Sequence, residues 1–177
     1  MSPFAGPLFA AALLLLAAGA VKVASPAGTR VALQKAGLPS QAMAVRLLGI
    51  VEVAIAVAAL AIGGAVAAGL VALAYLGFAG FAALLSHRTR NTASCGCFGA
   101  SDAPVGTVHV VVDLVAAALC AAAALDPTTG LAQATSETPW ARVPFYGLTA
   151  LLAWATYLSL TLLPELQAAM KTPGAAS

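Results

Sequence analysis

Long apolar runs separated by short polar connections set the frame of this chain. The first run, residues 4–21, stops at Lys22. The polar connection from Lys22 to Ser40 contains Pro26, Gly28, Gly37 and Pro39. Residues 29–36 within it predict a short surface helix closed by Gly37, and Ser40 suits the N-cap of the next helix. From Met43 to Leu85 only Arg46 and Glu52 are charged. At about 20 residues per crossing that stretch is two spans. The break falls at Gly63-Gly64, where glycine permits a tight turn. A second polar connection, Ser86 to Thr107, precedes an apolar run that ends at Asp126-Pro127. A last run follows, with Pro144 tolerated in its first helical turn. The pattern predicts an all-α, polytopic transmembrane helical bundle of about five spans, near residues 4–21, 43–62, 65–85, 108–125 and 144–163. These form a four-helix core plus a C-terminal span, in a single membrane domain over residues 1–177.

Composition agrees with this reading. Residues of the AVILMFWYC set make up 62% of the chain and charged residues only 8%, with mean hydropathy +0.98. A water-soluble domain needs far more charge to cover its surface. The spans leave no length for a separate soluble domain, and a net charge of +2 does not suit nucleic acid. Nothing basic precedes Lys22, so the first run reads as a retained span and not a secretory signal.

With five spans, the connections alternate sides. Lys22, Arg30, Lys35, Arg46, Arg88, Arg90 and Lys171 share one side, and Arg142 alone is on the other. The positive-inside bias then places the N-terminus outside and the loop from Ser86 to Thr107 at the cytoplasmic face of the cell (plasma or inner) membrane.

That loop carries the most unusual local feature, Cys95-Gly96-Cys97. Two thiols this close can form a small, strained and easily reduced disulfide, which suits exchange better than a structural staple. Arg88 and Arg90 nearby favour thiolate. The same thiols with His87 and His109 could instead hold zinc or copper. Idle loop cysteines are the third reading. His109 and Asp113 are spaced i, i+4 and share a helix face at the loop end of span four. Glu52 lies inside span two, where a carboxylate costs about 2.5–3.5 kcal/mol on insertion scales and needs a partner or a task. Arg46 or Lys22 would serve as an ion-pair partner; a proton-handling role beside a redox centre is the alternative. Cys120, alone and deep in span four, reads as a small packing residue. Nearly every chemically versatile side chain thus gathers toward one end of the bundle.

Cys95-Gly96-Cys97-Phe98-Gly99 resembles the signature of MauE, the methylamine-utilisation membrane protein, within a wider MauE/DoxX group of redox-associated membrane proteins. Gly19 and Lys22, Arg46 with Glu52, and Ala74-Tyr75-Leu76-Gly77-Phe78 also fit, and the likeness covers roughly residues 8–125. The resemblance implies a thiol-disulfide redox role that supports disulfide formation in, or electron supply to, a partner. That partner would be a thioredoxin-like or disulfide-containing redox protein, and methylamine metabolism the setting. A membrane quinone, as in the vitamin K epoxide reductase class, is a candidate electron acceptor, although no sequence feature marks a site for it. A metal-binding membrane protein and a non-catalytic scaffold for a redox partner are the other two functions. Disulfide formation in exported proteins needs thiols outside, whereas the charge bias puts Cys95 and Cys97 inside. Either the electrons come from a cytoplasmic donor, or the span count differs from five.

Overall fold

A computed structural model of the chain describes residues 2–94, 105–134 and 142–171. Among them are seven helices: α1 (Ala5–Ala24), α2 (Ala27–Lys35), α3 (Ala42–Ala61), α4 (Gly64–Thr89), α5 (Thr107–Leu125), α6 (Leu131–Ala134) and α7 (Arg142–Lys171). Four of them, α1, α3, α4 and α5, are long and apolar enough to cross a membrane. The chain is a multi-pass helical membrane protein. Met43, Leu47, Ile50 and Val51 of α3, Val66 and Leu73 of α4, and Leu114 and Val115 of α5 are exposed on the bundle surface, as lipid-facing positions should be.

The helices begin and end where the chain chemistry requires. Pro26 follows α1, and the Ser25 N–H closes that helix onto the Val21 carbonyl. Helix α2 ends in a Schellman turn, with Leu38 N–H on the Leu33 carbonyl, Gly37 N–H on the Gln34 carbonyl, and Gly37 at φ +67°. Ser40 is not the cap of α3. That position belongs to Gln41, which makes no side-chain cap bond, while the Ser40 carbonyl accepts a hydrogen bond from Arg30 Nε at 2.8 Å. Arg30 thus reaches back over the connection and takes the carbonyl in its turn. Helices α3 and α4 are separated at Gly63-Gly64, both at positive φ (+72° and +86°). Gly64 N–H donates to the Thr128 carbonyl at 2.7 Å, so this turn packs backbone to backbone against the connection after α5.

Helix α1 sits at the centre, packed against α3, α4, α5 and α7, and α4 pairs closely with α5. The main core is small and aliphatic: Leu8, Ala12 and Leu15 of α1 meet Ala56 and Ala59 of α3, Ala68 and Val71 of α4, and Ala117 and Cys120 of α5. Small side chains let the backbones approach, which is how helices associate in lipid without a hydrophobic driving force. Tyr75 is the polar exception, and its hydroxyl donates to the Ala11 carbonyl at 2.8 Å. Helix α7 covers the expected fifth span. Phe145 meets Phe9, Ala153 meets Ala10 and Leu14, and Tyr157 packs beside them. These pairs advance together along both helices, so α7 runs parallel to α1.

Candidate functional site

The chain order of the helices brings the end of α1, the start of α3, the end of α4 and the start of α5 to one end of the bundle, with α2 across it. There α1 and α3 cross at a pair of glycines. A Cβ on Gly19 would meet the Gly49 carbonyl oxygen at 2.8 Å, and one on Gly49 would meet the Gly19 carbonyl oxygen at 2.7 Å. The two backbones are therefore in direct contact. One turn from each glycine the crossing places a charge, Lys22 on α1 and Glu52 on α3.

Lys22 Nζ donates to Glu52 Oε2 at 2.8 Å, and both side chains are nearly inaccessible at 2% and 3%. The ammonium also lies 4.9 Å from the centroid of the Phe78 ring on α4, a distance at which a desolvated cation is attracted by the ring face. Phe78 is in turn set by an edge contact with Tyr75. Lys22, and not Arg46, is the partner of Glu52; Arg46 is exposed on the outer face of α3. The second carboxylate oxygen, Oε1, is buried without a hydrogen-bond partner among the described residues.

Cys95 and Cys97 lie outside the described residues, but the chain on both sides of them is placed. Leaving α4, the backbone passes through two left-handed residues, Arg90 (φ 51°) and Asn91 (φ 60°). It reaches Ala93, whose carbonyl accepts the Val105 N–H at 2.8 Å. Ala93 and Val105 are both buried, in a cluster with Ala32 and Ala36 at α2 and Ala82 and Leu85 of α4. The two ends of the cysteine loop are thus tied together and seated on the bundle. Ala82 is one helical turn beyond Phe78, so the seat lies one turn above the Lys22–Glu52 pair.

His109 and Asp113 occupy the buried face of α5, together with Ala117, Cys120 and Ala123. His109 Nδ1 is buried and has no hydrogen-bond partner among the described residues. Cys120 is fully buried in the main core, the packing position its sequence context suggested. His87 is exposed near the end of α4, unlike His109. No group of three His, Cys, Asp or Glu side chains suited to a metal ion occurs among the described residues. The Phe78 contact and the Ala93–Val105 tie were not visible in the sequence. A phenylalanine in an apolar run carries no mark of a cation, and a backbone bond depends on no side-chain type.

The match to methylamine utilisation protein MauE extends over residues 3–126, from α1 through α5. The chain belongs to the MauE family. The glycine crossing, the Lys22–Glu52 pair, the loop seat and the buried face of α5 all lie inside the matched region, whereas α6 and α7 lie beyond it. Neither a curated protein nor a solved structure matches the chain. Membership of this family agrees with the four apolar helices of a multi-pass membrane protein.

Proposed function

We propose that this MauE-family protein is a membrane thiol–disulfide redox component that supports disulfide formation in, or electron supply to, a partner protein. The seat of the cysteine loop carries the reading. A loop with two thiols one residue apart is tied at Ala93 and Val105, one turn above a buried ion pair and next to the turn that bears His109. The thiolate of one cysteine attacks a disulfide of the partner, forms a mixed disulfide and releases the partner's thiolate, which takes up a proton. The second cysteine, deprotonated, then attacks the mixed disulfide, closes Cys95–Cys97 and frees the second partner thiol. Two electrons and two protons pass to the partner; the reverse sequence oxidises it. Cys95 and Cys97 are the exchanging pair, and Glu52, His109 and Asp113 the groups that handle protons.

Five crossings, with α7 as the fifth, suit the parallel course of α1 and α7. Lys22 is neutralised by Glu52, so of the seven basic residues on the loop side six remain, against Arg142. The bias still puts the cysteine loop in the cytoplasm of a cell whose inner or plasma membrane holds the protein.

The test is complementation with Cys95→Ser, Cys97→Ser and Cys120→Ala, together with non-reducing electrophoresis. Each loop mutant should lose function and trap a reductant-sensitive adduct with a partner; Cys120→Ala should be nearly neutral. Loss of bound metal without a trapped partner would point to a metal site. A fully active Cys95→Ser, Cys97→Ser double mutant would sink the thiol reading and leave the scaffold.

A further inference from the structure

Two arginines from different helices converge on one short connection. Arg30 of α2 donates through Nε to the Ser40 carbonyl at 2.8 Å. Arg88, in the last turn of α4, lies against Gly37, where an added Cβ would meet its Nη1 at 2.6 Å. The four residues from Gly37 to Ser40 therefore have a guanidinium at each end. Neither arginine forms an ion pair with a carboxylate among the described residues. Glu52 is engaged by Lys22, Asp113 is buried in α5, and Asp126 caps α5 at the opposite end of the bundle.

The surroundings are amphipathic. Leu38, between the two guanidinium contacts, is 38% exposed, and Val31 of α2 is 49% exposed. Lys35 is exposed beside them. Helix α2 is too short to span and lies across the end of the apolar bundle, its Thr29, Ala32 and Ala36 turned inward. A short helix with basic and apolar side chains on its outer side, at the level where the spans end, belongs in the headgroup layer. A topological charge bias needs only basic residues on the correct side. It gives no reason for Arg88 to fold back onto α2 and join Arg30 at one connection.

We propose that the Gly37–Ser40 connection is a binding site for the headgroup phosphate of an anionic phospholipid. The guanidinium groups of Arg30 and Arg88 hold the phosphate, in the forked geometry that arginine offers to such oxygens. Leu38 and Val31 face the acyl chains. The site is independent of the thiol chemistry and ties α2, the floor of the cysteine-loop seat, to the lipid.

The experiment uses purified full-length protein in neutral detergent, with phosphatidylglycerol or phosphatidylcholine of identical acyl chains. Native mass spectrometry counts retained lipid, and thermal melting reads its effect. Phosphatidylglycerol should be retained and raise the melting temperature by several degrees, with phosphatidylcholine inert. Arg30→Gln/Arg88→Gln should lose both effects, while Arg142→Gln, which removes the same single charge as Arg88→Gln but at the other end, keeps them. Arg88→Gln alone, at an exposed position, should already weaken retention, which guards against a double variant that fails to fold. Equal effects of the two lipids, or equal loss in Arg142→Gln, would overturn the site. The same shift with inorganic phosphate alone would reassign it to a free anion. Displacement of bound phosphatidylglycerol by a poly-glutamate peptide, with a larger stabilisation, would reassign it to an acidic protein.

Discussion

Lys22 Nζ and Glu52 Oε2 stand 2.8 Å apart inside the bundle, in a contact that joins α1 to α3 one turn from the place where Gly19 and Gly49 bring their backbones together. The pair neutralises two charges that would each be costly in lipid. Among the described residues it uses only one carboxylate oxygen, so Glu52 holds its helix in place while Oε1 stays buried without a hydrogen-bond partner there.

Breaking a buried pair by removing one partner costs about 3–5 kcal/mol, because the other charge is left uncompensated. Lys22→Met and Glu52→Gln should each lower the melting temperature of the purified protein, and the double variant should recover most of the loss. The same series separates structure from proton handling. A double variant that folds but exchanges thiols slowly supports a proton role for Glu52. Wild-type exchange in the folded double variant would remove Glu52 from the site.

The glycine crossing gives a second expectation. Gly19→Ala and Gly49→Ala each push a methyl group into backbone, and overpacking of this kind costs about 1–3 kcal/mol. Gly77 has nothing within 4 Å of its Cβ position, so Gly77→Ala should not lower the melting temperature. Comparing the three curves in one detergent checks the close approach. Equal melting of Gly19→Ala and wild type would contradict it.

The loop seat can be tested without a partner. Val105 is fully buried against Ala93, Ala32 and Leu85. A carboxylate there would lose its hydration among apolar side chains, which costs at least about 2 kcal/mol without a compensating hydrogen bond. Val105→Asp should make the chain between residues 93 and 105 open to protease while α1, α3 and the rest of α4 remain protected. Limited proteolysis followed by mass spectrometry reads this directly. Unchanged protection of the loop would mean that the seat does not hold it.

Topology is open to a labelling test. With six basic residues remaining on the loop side, a membrane-impermeant maleimide added to intact cells after reduction should miss Cys95 and Cys97 and label them only after permeabilisation. Cys120, fully buried, should resist until the protein is denatured. Ready labelling from outside would reverse the orientation and leave the thiol chemistry intact. It would also bring the thiols to the side where exported proteins acquire disulfides.

The apolar runs alone determined the helical class, four of the five expected spans as helices long and apolar enough to cross, and the turn at Gly63-Gly64, because a bilayer demands about 20 apolar residues per span and a backbone bonded within each helix. They also determined that the polar groups gather at one end, since antiparallel succession sends alternate connections to the same side. The partner of Glu52 was beyond the sequence. Arg46 lies nearer along the chain and shares the helix, but its direction around α3 sends it outward, and only the α1–α3 register set by Gly19 and Gly49 brings Lys22 into reach. The helical cap expected at Ser40 gave way because Arg30 claims its carbonyl from α2, a contact between residues ten apart. The seat of the cysteine loop likewise exists only in three dimensions. Ala93 and Val105 are unremarkable apolar residues flanking a polar loop until α2 folds across the bundle end and closes water away from their backbone bond. Local pattern decides which segments are helices; distant backbone contact and burial decide which of their side chains meet.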